Sequence, residues 1–395
     1  MSESQVKGEL ASGRRLRIAV FNRIFSPSGG GAERYSIALV EQLAQDHEVH
    51  VFAQQINHQW PGVTYHKVSS PLTKPRWINQ LWYATSTWWA TRRGFDVVHS
   101  HENTWHGQVQ TVHVLPVKYN LFHGRSGWRL AVRWLKVVTS PRLLAYLGLE
   151  GVRFSRRANR CIVVTSNSLK NQMAATYPAT GDALQIVTPG VSRVSGVASS
   201  AQQLAARQGL GLPLAGFGIL FVGNDYRKKG LDALFQALIR LPDQAWLAVV
   251  GNAAHIPEFR AQAQAAGIAH RVFFLGAMND VSEAYRAADC LAHPTLEDTF
   301  AMVVLEAMSH GLPVVVSSGQ HCGIAELLNH ETHALILSNP RDVAALGKAL
   351  NRLLQDPELR RNLRDASLAF AGQHQWSNIA RQQEKIYYAV AKASD

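Results

Sequence analysis

The sequence predicts an α/β protein made of two doubly wound domains, and three observations carry that expectation. The chain has 395 residues, roughly twice a typical domain. Short β-branched runs alternate with helix-length segments, the pattern of parallel sheets. The alternation then restarts after Pro189-Gly190, so two such series follow one another.

After a polar tail over residues 1–15, Leu16 to Phe21 reads as a first strand. Ser26-Pro27-Ser28-Gly29-Gly30-Gly31 reads as a glycine loop, and Ala32 to Leu39 as a helix. Short strands are expected at His50 to Ala53, Asp96 to His99, Val109 to His113, Cys161 to Thr165 and Leu184 to Val187. The second series opens with a strand at Gly218 to Gly223 and a helix from Gly230 to Leu241. It continues with strands at Ala245 to Gly251, Val272 to Gly276, Cys290 to Pro294 and Pro313 to Ser317. The expected division is 16–190 for the first domain, 191–375 for the second and 376–395 for a closing helix. Ligands of such sheets sit at the carboxyl ends of strands, here expected in a cleft between the domains.

Composition narrows the class. Apolar residues make up 47% and charged residues 17%, which excludes a disordered or fibrous chain. Cys161, Cys290 and Cys322 are widely spaced, offering neither a disulfide framework nor a zinc site. There is no signal-peptide pattern and no apolar run long enough to span a bilayer, so a cytoplasmic location is expected.

The net charge is +12, and it is unevenly placed. Residues 1–190 carry 22 Lys and Arg against 10 Asp and Glu; residues 191–395 carry 18 of each. Within the basic half, residues 74–93 hold Trp77, Trp82, Trp88 and Trp89. Residues 115–160 hold ten Lys and Arg, Trp128, Trp134 and one acid, Glu150. The bland reading of these segments is helix packing with solvated charge. The excess of +9 over 115–160 favours an anionic lipid or lipid-linked phosphate instead.

The sharpest motif runs Pro294-Thr295-Leu296-Glu297-Asp298-Thr299-Phe300-Ala301-Met302-Val303-Val304-Leu305-Glu306-Ala307-Met308, with Gly311-Leu312-Pro313 after it. It reads as strand end, loop and helix start. The amides of Phe300, Ala301, Met302 and Val303 fall at a helix N-terminus, where a diphosphate is favoured. Asp298 and Glu306 flank that point, and carboxylates accept hydrogen bonds from sugar hydroxyls. Helix capping plus a surface carboxylate is the plain alternative.

This stretch resembles the retaining glycosyltransferases of family 4, which have the GT-B fold of two Rossmann-like domains. Their pattern is E-G-F-G-x-x-x-L-E-A-M followed by G-x-P-V. Phe300, Leu305, Glu306, Ala307, Met308, Gly311 and Pro313 fall in register; the first acid is Asp298, and Ala301 stands where the second glycine would be. Val222-Gly223-Asn224-Asp225-Tyr226-Arg227-Lys228-Lys229-Gly230 resembles the family's diphosphate loop, with Asn224 where the family has Arg.

The resemblance implies roles. Glu306 would hold the ribose, Asp298 the sugar hydroxyls, and Lys229 with Arg227 or Lys228 the diphosphate. Gly276 and Met278 would meet the base, and Gly29, Gly30 and Gly31 would form the loop at the acceptor and donor phosphate. His113 would line the reaction centre, with His101 a second candidate. Trp376 and Ile386-Tyr387 would lie on the helix that crosses back to the first domain. The resemblance implies no metal and no cofactor beyond a nucleotide-sugar co-substrate, a UDP-sugar foremost. Asp225 to Gly230, the Pro-Gly linker and Asn279 to Ser282 look most like the lipopolysaccharide-core glucosyltransferase type. The acceptor would then be a lipopolysaccharide core or another lipid-linked glycan, and the enzyme would sit on the inner membrane face.

Alternative readings carry weight beside these. The triplet 227–229 also suits a solvated helix start, though cations there oppose the helix dipole. Glycine runs also make plain turns, and a strand-end histidine such as His113 is often a satisfied core residue. His99, His101, His106 and His113 match no trusted ligand spacing. A sugar-nucleotide epimerase shares this architecture, and a non-catalytic scaffold remains a rival. A nucleic-acid-binding protein would need a recognition module that the chain lacks, so no nucleic-acid partner is expected.

Overall fold

The computed structural model of the protein describes residues 14–27, 30–72, 74–192 and 196–392. Gly29, assigned above to the glycine loop, lies outside them. The chain divides into two units. The first comprises residues 1–163, 173–185 and 380–395, and the second comprises 164–172 and 186–379.

The first unit contains β1 (Arg17–Phe21), β2 (Ile24–Phe25), β3 (Glu48–Ala53), β4 (Gln55–Ile56), β5 (Val63–Lys67), β6 (Val97–Ser100), β7 (Val109–Val112), β8 (Cys161–Val164) and β9 (Leu184–Ile186). Seven of these form one sheet in the order β5-β3-β1-β6-β7-β8-β9, and β2 pairs with β4. β1 runs parallel to β3 and β6, β3 to β5, and β6 to β7. Ile18, Val20, Val49 and Val51 are almost wholly buried, as expected of parallel strands covered on both faces. β5 was not expected from the sequence: its VTYHK pattern is only half-buried, because it lies at the sheet edge.

The helix Trp376–Lys392 joins this unit from Ala380 onward. The Tyr387 hydroxyl meets His99 Nδ1 at 2.6 Å, Glu384 Oε1 meets His47 Nε2 at 3.0 Å, and the Tyr388 hydroxyl donates to the Arg14 carbonyl at 3.1 Å.

The basic segment folds as three helices, Val117–Phe122, Gly127–Val138 and Pro141–Arg153. Its one acid points inward. Glu150 is buried and accepts from the Val117 and Lys118 amides and from the Tyr177 hydroxyl. Two of its cations are also internal. Arg153 reaches Gln110 and the Thr111 carbonyl, and Arg160 reaches the carbonyls of Val152, Arg153 and Trp105. The other eight are exposed or half-buried.

The second unit contains β10 (Phe217–Val222), β11 (Ala245–Val250), β12 (Val272–Gly276), β13 (Cys290–His293), β14 (Val314–Ser317) and β15 (Leu335–Leu337). They form a parallel sheet in the order β12-β11-β10-β13-β14-β15. Alternate residues feed two cores. Ile219, Leu247 and Val315 pack with the helices Leu231–Ile239 and Val343–Gln355; Leu220, Ala248 and Val316 pack with Met302–Ser309. Burying one such side chain is worth about 1.5–3 kcal/mol. Both faces are therefore sealed, and the strand ends are left to carry polar side chains.

Candidate functional site

The site in the second unit is built where β10 and β13 end side by side. Gly223 follows β10, and a Cβ there would stand 2.8 Å from Lys229 Cγ. The turn that follows is closed by Asp225 Oδ1, which accepts from the Lys228 amide at 3.0 Å. Gly230 ends the turn at φ +84°, pressed so closely on Pro294 that a Cβ would lie 2.0 Å from its carbonyl oxygen. The Lys228 carbonyl accepts from the Leu296 amide at 2.8 Å. The basic turn is thus fastened onto the loop that carries Asp298.

That fastening separates the three cations. Lys229 Nζ meets Asp298 Oδ2 at 2.5 Å. Lys228 Nζ meets Glu297 Oε1 at 2.6 Å, and Arg227 pairs with Glu258. Lys229 is the member of the triplet that reaches Asp298.

Asp298 is held by four donors. Oδ1 accepts from the amides of Ala301 at 2.9 Å and Phe300 at 3.3 Å; Oδ2 takes Lys229 and, at 3.3 Å, His293 Nε2. Burial alone would raise its pKa. The His293 hydrogen bond and the Lys229 charge outweigh burial and hold the carboxyl well below the usual range. His293, at the end of β13, is fully buried, and burial pushes its pKa down despite Asp298. It is therefore neutral and donates from Nε2. Sequence reasoning gave His293 no role beyond ending a strand; the one available signal was a histidine five positions before the acid.

The capping role weighed against ligand binding is real, and Asp298 combines it with the ion pair. Ala301 precedes the helix Met302–Ser309 at φ 70°, ψ 71°. This left-handed conformation costs a residue with a Cβ roughly 1–2 kcal/mol, which accounts for a glycine at that place in the family pattern. Met302 starts the helix, and Glu306 follows one turn later, where Oε2 accepts from the Tyr285 hydroxyl at 2.8 Å. Gly276 closes β12 at φ +74°, its carbonyl accepting from the Gly251 amide, and Met278 packs against the core beside it.

The remaining candidates lie in the first unit. Gly30 precedes the helix Gly31–Leu43, and Gly31 opens it. His101 Nδ1 and His113 Nε2 are 2.9 Å apart, with rings stacked at 5.2 Å. Tyr35 packs edge-on to His113, and His99 lies 4.2 Å from the His101 ring. Burial pushes His99 and His113 down to about 3, with further depression from the Arg153 charge, and moves His101 in the same direction. All three are neutral at pH 7.

A histidine depressed in the folded state contributes stability that is complete above the unfolded pKa near 6.5 and is lost as pH falls through the folded value. Stability should therefore decline below pH 6.5, by up to about 1.4 kcal/mol per pH unit for each histidine. Urea midpoints at pH 8, 6 and 5 check this, and an unchanged midpoint at pH 5 would refute the neutral stack.

Among the described residues, no group of three or more His, Cys, Asp or Glu could hold a metal. No described helix is long and apolar enough to cross a membrane.

Two parallel-sheet units, the second ending its central strands in a lysine–aspartate pair before a helix, have the architecture of the GT-B class. Family models make the assignment particular. One described as Glycosyltransferase Family 4 matches residues 29–193, and one described as Glycosyl transferases group 1 matches residues 202–369. The chain belongs to this glycosyltransferase family. It is similar to the D-inositol 3-phosphate glycosyltransferase of Corynebacterium diphtheriae, at 28% identity over 71% of this chain and 73% of that one. It is also similar to the lipopolysaccharide glucosyltransferase WaaG of Escherichia coli K12, at 28% identity over 56% of this chain and 60% of WaaG.

Solved structures share the fold. A WaaG crystal structure superposes with a TM-score of 0.79 at 22% identity, covering 94% of this chain and 99% of that one. Anabaena HepE in complex with UDP and glucose gives 0.73 at 17% identity, covering 94% and 99%.

Proposed function

We propose that the protein is a retaining, metal-independent hexosyltransferase. It moves a sugar from a UDP-sugar to a lipopolysaccharide-core or other lipid-linked acceptor. The observation that carries this reading is the Lys229–Asp298 pair at the strand ends, beside the amides of Phe300 and Ala301. A cation beside a helix N-terminus stabilises a departing diphosphate as its charge develops. Glu306 is assigned to the ribose, Asp298 to the sugar hydroxyls, and Gly276 and Met278 to the base. His113 is assigned to the reaction centre beside the donor sugar, and His101 with Gly29 to Gly31 to the acceptor and donor-phosphate loop. The UDP held by HepE supports the nucleotide choice.

A thermal-shift screen against nucleotide sugars tests the donor assignment, since a ligand that binds only the folded state raises apparent stability. Stabilisation by none of them would remove it. NMR of the product's anomeric carbon tests retention.

The acceptor side is assigned to an anionic membrane at the cytoplasmic face. The helix Gly127–Val138 buries Val137 alone while Trp128 is 72% and Leu135 64% exposed; Arg129 and Lys136 are exposed on the same helix. An apolar face bordered by cations suits an anionic bilayer surface. Sedimentation with phosphatidylglycerol vesicles should show binding that weakens as salt rises from 0.05 to about 0.5 M. Trp128→Ser should weaken it further at every salt concentration. Binding that is absent at low salt counts against this assignment.

A further inference from the structure

Asp298 has no spare acceptor. An ionised carboxylate offers about four lone-pair sites, and all four are occupied: Oδ1 by the Phe300 and Ala301 amides, Oδ2 by Lys229 and His293. Three of these donors are fixed. Two belong to the loop backbone, and His293 is fully buried in β13. Lys229 alone sits on a flexible stem, its side chain 19% exposed. A sugar hydroxyl therefore finds no place on Asp298 until Lys229 yields one. Lys229, for its part, is engaged with Asp298 until something more attractive arrives.

We propose that Lys229 is the exchangeable member of this cluster and makes diphosphate and sugar a single recognition unit. This rests on the donor-site reading above. Phosphate oxygens draw Lys229 off Asp298, and the lone pair vacated on Oδ2 takes a hydroxyl of the donor sugar. A nucleoside diphosphate without its sugar leaves that lone pair unpartnered, in a side chain only 17% exposed, and this lowers its affinity. The pair thus selects the intact donor over the spent nucleotide. After transfer, the return of Lys229 to Asp298 favours release of the product.

Calorimetric titration with UDP tests the coupling. Asp298→Asn, which can still accept from the Ala301 amide, should free Lys229 and tighten UDP about tenfold, the scale of one charge-assisted hydrogen bond. In a Lys229→Met background the same change should leave UDP affinity within about twofold. Equal tightening in both backgrounds would mean simple removal of a negative charge and would overturn the proposal, as would no tightening in a folded Asp298→Asn protein. If that variant does not fold, Asp298→Ser repeats the comparison with a hydroxyl at the cap. A wild-type protein that binds none of UDP, ADP and GDP removes the donor-site reading itself, and the coupling with it. UDP binding without the variant effect removes the coupling alone.

Discussion

The Lys229→Ala protein is expected to transfer sugar with kcat/KM about 10²- to 10³-fold below wild type, the usual loss when one preorganised electrostatic contact to a departing group is removed. The fold should survive the change. Asp298 keeps both amides and His293, and the lysine side chain is not part of either core. Glu306→Ala should act on donor KM more than on turnover, because a ribose contact is made equally in the ground state and the transition state. Steady-state kinetics with matched thermal stability decides. A kcat/KM for the donor within threefold of wild type in both variants would sink the assignment of this site to the donor.

Gly230→Ala should be strongly destabilising. Two penalties combine: a left-handed backbone at φ +84° and a Cβ placed 2.0 Å from the Pro294 carbonyl oxygen. The first costs roughly 1–2 kcal/mol and the second a further 1–3 kcal/mol or so. Gly267 provides the comparison. It has φ +74° but no heavy atom within 4 Å of the same Cβ position, so Gly267→Ala carries the backbone penalty alone. Urea unfolding of the two variants should separate them by at least about 1 kcal/mol. Equal losses would show that the turn at Gly230 gives way when crowded.

Much of this was legible in the sequence because it is local. The parallel strands announce themselves as β-branched runs, and the loop from Asp298 to Met302 shows its strand end, turn and helix start within a dozen residues. What stayed hidden depends on partners far away in the chain. Arg227 and Lys228 read as phosphate ligands beside Lys229, and their pairing with Glu258 and Glu297 depends on residues 31 and 69 positions on. His293 is an ordinary strand residue until the loop folds Asp298 back over it. Arg153 and Arg160 count toward a basic surface until their carbonyl partners place them inside. The unit boundary was hidden for the same reason. Residues 164–172 pack with the second unit, where Glu326 accepts from the Asn167 and Ser168 amides at 2.9 and 2.8 Å, and nothing in the composition of that stretch marks the switch.

The helix Trp376–Lys392 sets an order of events during synthesis. His99 and His47 belong to strands and turns made early, yet their partners Tyr387 and Glu384 are translated after the whole second unit. Nearly two hundred residues separate the two parts of the first unit, so these contacts cannot form until the second unit has been translated. Completion of the first unit is coupled to arrival of that helix, and a chain truncated before it would keep an open seam in its oldest part.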